Sequence, residues 1–226
     1  MLLLVFGLMM LATATATEVC EDELAVRRTV TAISFIIPNS APPDDTETPV
    51  AGKVVLMQPG YRRMHIKKKP RCHTRFFVNI SGLPPDTIHG FHIHEFGDIV
   101  SDGCQSTGGH YNPFNRSHGG PFARSKDGNV QDNLIFLVCS HVGDLGNVRA
   151  DRNGVVNVVF QDPVGLVYLS GPNSVIGRAF VIHQKEDDLG RGTGEAEAGS
   201  LKTGNAGARL GCGVIARAPL SVLPNV

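Results

Sequence analysis

The apolar residues of this chain occur in short stretches interrupted by glycine and proline, and this punctuation strongly constrains the fold. The 226 residues include 26 glycines and 14 prolines but no tryptophan. Short apolar and β-branched stretches with such boundaries are typical of strands, whereas helices need longer uninterrupted segments. The chain is long enough to bury a core as one large β domain or two small ones. We therefore expect an all-β fold with long loops.

Strand candidates follow one another along the chain, each with β-branched or aromatic residues between turn formers. They are residues 25–38, 50–58, 74–82, 91–96, 155–160, 175–182 and 213–218. Two long glycine-rich segments, 97–154 and 184–211, lie among them. Loops of this length without structure of their own usually have a function or are disordered.

The first 16 residues have the pattern of a signal peptide. An apolar run precedes small residues, and Ala14-Thr15-Ala16 offers a cleavage site, although no lysine or arginine precedes the run. The run is shorter than the roughly 20 residues of a membrane-spanning helix. We expect a secreted chain with no membrane span. Residues 17–49 would form an N-terminal extension with the first strand, and residues 50–226 the remainder of a single domain.

Charge gives the chain no general attraction to a polyanion. The 21 basic residues equal the 21 acidic ones, so neither nucleic acid nor a membrane surface is an expected partner. The segment 62–75 is nevertheless strongly basic. It is either a solvated hairpin loop or a site for an extracellular polyanion such as a glycosaminoglycan.

Secretion would expose the chain to an oxidising environment. Its five cysteines are therefore disulfide candidates, and the odd number leaves at least one unpaired within the chain. Asn79 and Asn115 each begin an Asn-X-Ser sequon, a short pattern that also arises by chance.

The histidines contain the strongest chemical signal. His92 and His94 are two residues apart in a predicted strand, so both imidazoles can face one ion. Further candidate ligands follow at His110, His118, His141, Asp144 and His183. Three imidazoles with a carboxylate suit zinc, and four imidazoles favour copper. These seven side chains fill eight positions around two four-coordinate ions if one imidazole binds both.

Five stretches, in the same order, resemble the copper/zinc superoxide dismutase family over about residues 81–216. They are GFHIHEFGD (90–98), GGHYNPFNRSHGGP (108–121), HVGDLGNV (141–148), IGRAFVIHQKEDDLG (176–190) and KTGNAGARLGCGVI (202–215). The resemblance implies a Greek-key antiparallel β-barrel or sandwich with two long functional loops, and a homodimer.

The resemblance also implies the metal ligands and the residues around them. Copper would be held by His92, His94, His110 and His183, and zinc by His110, His118, His141 and Asp144, with His110 bridging the two ions. Asp187 would link His92 to His118 as an outer carboxylate. His89 matches a structural histidine, and His65 lies in the basic segment, so neither is expected to be a ligand.

The implied reaction is the disproportionation of superoxide to dioxygen and hydrogen peroxide. His110 would carry a proton, and Arg209 would attract and orient the small anion unless it forms only a surface ion pair. Lys202 and Thr203 match the rim of the substrate channel. Cys104 and Cys212 match the family's disulfide, whereas Cys20 and Cys72 are a candidate second pair that would leave Cys139 free.

The chain departs from the family before His141, where residues 127–140 are additional and include the apolar run LIFLVC (134–139). Such a run is unusual in a loop. It is an extra strand, a contact surface or translated intron sequence, and we favour the last. If the segment disrupts the zinc loop, the alternative function is a secreted non-enzymatic copper- and zinc-binding protein. A copper chaperone fits less well, because no MxCxxC module precedes the candidate ligands.

Overall fold

The computed structural model describes residues 29–41, 43, 48–60, 73–121, 140–162 and 165–224. The proposed signal peptide lies outside these residues, as do Cys20, Cys72, Cys139 and nearly all of segments 62–75 and 127–140. Within the described part of the chain, no helix is long and apolar enough to cross a membrane.

Antiparallel strands make up most of the fold. The strands are β1 (Val30–Pro38), β2 (Ala51–Gln58), β3 (Arg75–Ser81), β4 (Ile88–His94), β5 (Ser101–Cys104), β6 (Asp144–Arg149), β7 (Val156–Gln161), β8 (Ala179–His183), β9 (Arg209–Val214) and β10 (Ala216–Ala218). One α-helix, α1 (Glu197–Thr203), and short 3-10 helices at Gln105–Thr107, Gly194–Ala196 and Leu220–Val222 complete the described elements.

The strand order makes a nearly closed barrel. The order is β6-β4-β8-β9-β1-β2-β3-β7, and β10 pairs with the first half of β1. Strands β1, β2 and β3 form a meander, but β3 then pairs with β7 rather than with β4. This crossing connection gives a Greek key, which confirms the predicted all-β class.

A single large apolar cluster fills the barrel. Phe76 stacks on Phe160, with ring centroids 4.9 Å apart, and Phe91 stacks on Phe180 at 5.1 Å. Along β4, Phe91 and Ile93 enter this cluster. Because strand side chains alternate between faces, His92 and His94 lie on the other face of the same strand.

The two segments predicted as loops contain more regular structure than we expected. Segment 97–154 includes β5 and β6, and segment 184–211 includes α1 and the start of β9. Strand β6 forms because it pairs with β4, at a register shift that sets His92 opposite Asp144. The strand predicted over 175–182 is also shorter, since β8 begins only at Ala179. Its first residues form turns instead.

Candidate metal centre

Strand β4 supplies two histidines to a buried group of four. His92 and His94 meet His183, which ends β8, and His110, which forms an isolated bridge with His94. One nitrogen from each of these four rings lies within 4.8 Å of the others. The Nε2 atoms of His94 and His183 are 3.3 Å apart. Burial, together with the neighbouring imidazoles, lowers the pKa of both rings well below the usual value, so they are neutral and able to bind a metal.

A second group surrounds one carboxylate oxygen. Oδ1 of Asp144 lies 2.7 Å from His110 Nδ1, 3.0 Å from His118 Nδ1 and 3.1 Å from His141 Nδ1. All four side chains are buried, and their ligand atoms lie within 4.8 Å of one another. Three imidazoles and one carboxylate in this proximity match a closed zinc site. His141, directly after segment 127–140, is thus part of this buried group.

His110 belongs to both groups. Its Nδ1 lies beside Asp144, and burial together with the nearby His92 lowers the pKa of its ring to about 3. The centroid of its ring is 4.1 Å from that of His92 and 5.5 Å from that of His141.

In each of the other five candidate ligand rings, one nitrogen contacts a carboxylate or a backbone carbonyl; we call it the outer nitrogen of that ring. Asp187, completely buried, contacts His92 Nε2 with Oδ2 at 2.9 Å and His118 Nε2 with Oδ1 at 2.8 Å. Backbone carbonyls do the same elsewhere: Gly108 for His94 Nδ1, Arg116 for His141 Nε2 and Gly207 for His183 Nδ1. Such partners fix the tautomer and orientation of a ligand ring.

Charge is concentrated around His118. Burial alone would lower its pKa, but hydrogen bonds and attraction from Asp144 and Asp187 outweigh burial and raise the pKa to about 9. Burial opposes ionisation of both carboxyls. Hydrogen bonds from His118 and His92 nevertheless bring the pKa of Asp187 to about 2, and three imidazoles hold that of Asp144 well below its usual range. In the absence of metal, a protonated imidazole thus lies between two carboxylates.

The unsatisfied atoms show that these residues fit metal ions. Among the described side chains, two imidazole nitrogens of the first group, His92 Nδ1 and His110 Nε2, are buried without a hydrogen-bond partner. A buried polar atom without a partner costs free energy. A metal ion bound by the first group would give both nitrogens a partner. The donor sets match copper and zinc, the two metals of the expected family.

A small cavity of about 90 Å³ lies beside the first group. His94, His110 and His183 line it together with Gly109, Thr203, Ala206, Gly207 and Arg209. Arg209 is held by the carbonyls of Cys104 and Gly108, each 2.7 Å from its guanidinium, and by Thr107 Oγ1 at 2.8 Å. Thr203 is thus at the cavity, whereas Lys202 is exposed and does not line it. A cation beside so small a space suits a small anion.

Cys104 and Cys212 form a disulfide that joins β5 to β9. It links the segment before His110 to the strand that begins with Arg209. His89 lies outside both groups, with its Nδ1 2.8 Å from the His183 carbonyl and its Nε2 2.6 Å from Thr87 Oγ1. Its role in the structure is therefore support of the backbone at His183.

Sequence reasoning missed the supporting groups. The contacts from the carbonyls of Gly108, Arg116 and Gly207 could not be predicted from the sequence, because every residue has a backbone carbonyl whatever its side chain. Gly204 is different, because it has a positive φ of 67° and a Cβ there would overlap Asp187 and His118. Its signal was a glycine directly after the matched Lys202-Thr203 pair.

Comparisons with known proteins agree with this geometry. The family described as copper/zinc superoxide dismutase (SODC) matches residues 68–215. An extracellular superoxide dismutase [Cu-Zn] of Onchocerca volvulus is 48% identical over 143 residues, which cover 63% of this chain and 62% of that protein. The chain thus spans less than two thirds of this relative's length.

Two further relatives extend the likeness. A superoxide dismutase [Cu-Zn] of Paramecium bursaria Chlorella virus 1 is 39% identical over 215 residues, 95% of this chain and 91% of the viral protein. The superoxide dismutase [Cu-Zn] of Saccharomyces cerevisiae is 48% identical over 142 residues, 63% of this chain and 79% of the yeast protein. The family match, these relatives and the two adjoining ligand groups lead to one conclusion: the chain belongs to the copper/zinc superoxide dismutase family.

Proposed function

We propose that this protein converts two superoxide ions and two protons into dioxygen and hydrogen peroxide. One superoxide loses an electron and the other gains it, so the reaction needs no outside oxidant or reductant. Copper would be held by His92, His94, His110 and His183, and zinc by His110, His118, His141 and Asp144. Family membership and the two buried ligand groups support this assignment.

The position of His110 is the observation that carries the proposal. Its Nδ1 lies 2.7 Å from Asp144 in the zinc group, and its Nε2 is buried without a partner in the copper group. Each of the other five rings has its outer nitrogen held by a carboxylate or a carbonyl. His110 is therefore the ring suited to bind both ions.

Copper supplies the one-electron redox change when bound, and zinc supplies none. In the proposed cycle, His110 Nε2 takes up a proton after the first superoxide has been oxidised and donates it to the departing peroxide. Arg209 attracts and orients the anion in the adjoining cavity, and its permanent charge does not depend on pH in the physiological range.

Asp187 would position ligands of both metals. Because it contacts His92 with one oxygen and His118 with the other, it fixes the two rings relative to each other. Thr203 borders the cavity, and Lys202 stands next to it on the exposed surface of α1. The charge of Lys202 would then act on the approach of superoxide rather than on bound superoxide.

We also propose that the protein is secreted. Residues 1–16 have the pattern of a signal peptide, and relatives described as extracellular occur in Onchocerca volvulus and Brugia pahangi. The disulfide between Cys104 and Cys212 suits an oxidising environment. Homodimer formation and polyanion binding by segment 62–75 remain predictions, as does a single domain formed by residues 17–226.

The deciding experiment compares the mature chain with and without residues 127–140. Copper and zinc content are measured by mass spectrometry, and superoxide decay is followed directly by stopped-flow absorbance. We expect both forms to bind both metals and to consume superoxide, because His141 and Asp144 lie with His110 and His118 in the full chain. A full chain that binds both metals but leaves superoxide untouched would favour the non-enzymatic alternative. The intact mass of the secreted protein tests the intron interpretation.

A further inference from the structure

Asn39 is a buried asparagine directly after β1, remote in sequence from every candidate ligand. Only 5% of its surface is exposed. Its Oδ1 accepts a hydrogen bond from the amide of Cys104 at 3.1 Å, and its Nδ2 donates to the carbonyls of Arg209 and Ala41, both at 3.0 Å. Its own amide donates to the Leu210 carbonyl at 2.9 Å. An asparagine side chain combines the acceptor and the two donors that these partners require.

These hydrogen bonds close a ring through Asn39, Cys104 and Arg209. The side chain of Asn39 joins the backbone of Cys104 to the backbone of Arg209. The guanidinium of Arg209 then returns to the carbonyl of Cys104 at 2.7 Å. The peptide groups of Cys104 are thus held on both sides, and Arg209 is held at its backbone and at its charged end.

The surroundings of Asn39 are closely packed. A Cβ on Gly103, which has a φ of 50°, would lie 2.7 Å from Asn39 Oδ1 and overlap Ser40 Oγ. The glycine therefore lets the β5 backbone approach closely enough for the Cys104 amide to reach Asn39. The ring involves no sulfur atom, so its hydrogen bonds add to the constraint that the neighbouring disulfide places on Cys104.

We propose that Asn39 is a positioning residue for the anion site, which it serves by holding Arg209 at the cavity beside His94, His110 and His183. This inference rests on the proposed function, since it gives Arg209 the anion as its ligand. Asn39 itself touches neither the cavity nor a candidate metal ligand in the described contacts. Its effect must therefore reach the anion through the placement of Arg209.

Two substitutions separate the functions of its side chain. Asn39→Ala removes all three side-chain hydrogen bonds. Asn39→Asp keeps the acceptor for the Cys104 amide but loses both Nδ2 donors, including the one to Arg209. Ala41→Asp is the charge control, because it introduces the same negative charge two residues away on an exposed side chain.

The probe is azide, a small monovalent anion, titrated into the copper- and zinc-loaded protein while the copper absorption is followed. We expect the azide Kd to rise about five- to tenfold in both Asn39 variants and less than twofold in Ala41→Asp. Copper and zinc content should stay unchanged. A rise in Kd with full metal content separates misplacement of Arg209 from a general loss of structure.

The rate of disulfide reduction by dithiothreitol is the second measurement, with alkylation of the released thiols as the readout. We expect Asn39→Ala to be reduced faster than the native protein, and Asn39→Asp to stay close to native because it retains the Cys104 bond. Native azide affinity in a fully metal-loaded Asn39→Ala protein would overturn the proposal. Failure of the native protein to consume superoxide would instead overturn the proposed function, and the azide comparison would still decide the role of Asn39.

Discussion

The Nε2 atom of His118 lies 2.8 Å from Oδ1 of Asp187, and both side chains are buried. The second oxygen of Asp187 contacts His92 at 2.9 Å. One carboxylate therefore joins the group assigned to zinc to the group assigned to copper.

Replacing Asp187 with asparagine should weaken zinc binding about 10- to 100-fold, the usual effect of losing an outer partner of a ligand. The amide cannot accept hydrogen bonds from both His118 and His92 with its two ends. Competition against a zinc chelator gives the affinity. Asp98→Asn is the control, because Asp98 is solvent-exposed and accepts hydrogen bonds from the amides of Val100 and Ser101 and from the Ser101 side chain, none of which is a candidate ligand. Equal zinc affinity in both variants would contradict a role for the Asp187 contacts with His92 and His118 in zinc binding.

Zinc binding to the metal-free protein should release a proton from His118. The pKa of this ring is raised to about 9, so it is protonated at neutral pH, whereas a ligand must be neutral. Zinc affinity should therefore rise with pH and stop rising, for this group, above about pH 9. Calorimetry in buffers of different ionisation enthalpy counts the protons. Binding at pH 7 without proton release would contradict the raised pKa.

The raised pKa of His118 should make the metal-free fold less stable as pH rises, whereas it makes zinc affinity increase with pH. The folded pKa of His118, about 9, lies above its ordinary value of 6.5. Its contribution to stability is therefore fully present below pH 6.5 and is lost as pH rises through 9. Thermal unfolding in the presence of a chelator measures this loss, and Asp187→Asn should reduce it.

Gly204→Ala and Gly194→Ala form a matched pair. Both glycines have positive φ, 67° and 63°, so both substitutions carry a similar backbone strain. A Cβ at Gly204 would overlap Asp187 Oδ1 and lie 2.5 Å from His118 Nε2, whereas a Cβ at Gly194 meets nothing within 4 Å. We expect Gly204→Ala to lower zinc affinity at least tenfold, as loss of the contact between Asp187 and His118 should do. Gly194→Ala should leave zinc affinity unchanged. Similar affinities would show that the contact is dispensable.

The histidine geometry was predictable where it depends on local periodicity. His92 and His94 share a strand face because side chains alternate, and this needs no tertiary information. The helix α1 was not predictable in this way, because Ser200 is its one buried residue and no apolar stripe marks it. Ser200 Oγ donates to Asp188 at 2.6 Å, and Asn205 binds the same carboxylate at 2.7 Å. Tertiary hydrogen bonds to Asp188 therefore hold the helix in place.

Strand β6 and residue Asn39 likewise depend on tertiary contacts that a local sequence pattern does not predict. The sequence DLGNVR of β6 lacks regular alternation, and its pairing with β4 brings Asp144 opposite His92. Asn39 lies directly after the strand candidate 25–38 and carries no motif, yet its contacts with Cys104 and Arg209 span 65 and 170 residues. Contacts between such distant positions leave no pattern in a single sequence.

Ser34→Ala should stabilise the metal-free protein by about 1 kcal/mol. The Ser34 hydroxyl is completely buried and has no hydrogen-bond partner among the described residues. Its removal therefore relieves a desolvation cost without losing a bond. Thr31→Val is the contrasting variant on the same strand, because Thr31 Oγ1 donates to the Ala218 carbonyl at 2.6 Å. We expect it to destabilise by about 1 kcal/mol. Guanidinium unfolding measures both, and a shift of the same sign in both would contradict this account.

Removing the disulfide should destabilise the metal-free protein most of all. Cys104 and Cys212 are 108 residues apart, so their bond restrains a large loop of the unfolded chain. For a loop of this size the expected loss in the Cys104→Ser, Cys212→Ser double variant is about 5 kcal/mol. Guanidinium unfolding of the native and variant chains gives the difference. Because this effect comes from the covalent link, a reductant that opens the bond should bring the native protein to the stability of the variant. A difference that persists under full reduction would show that the two sulfur atoms contribute through packing instead.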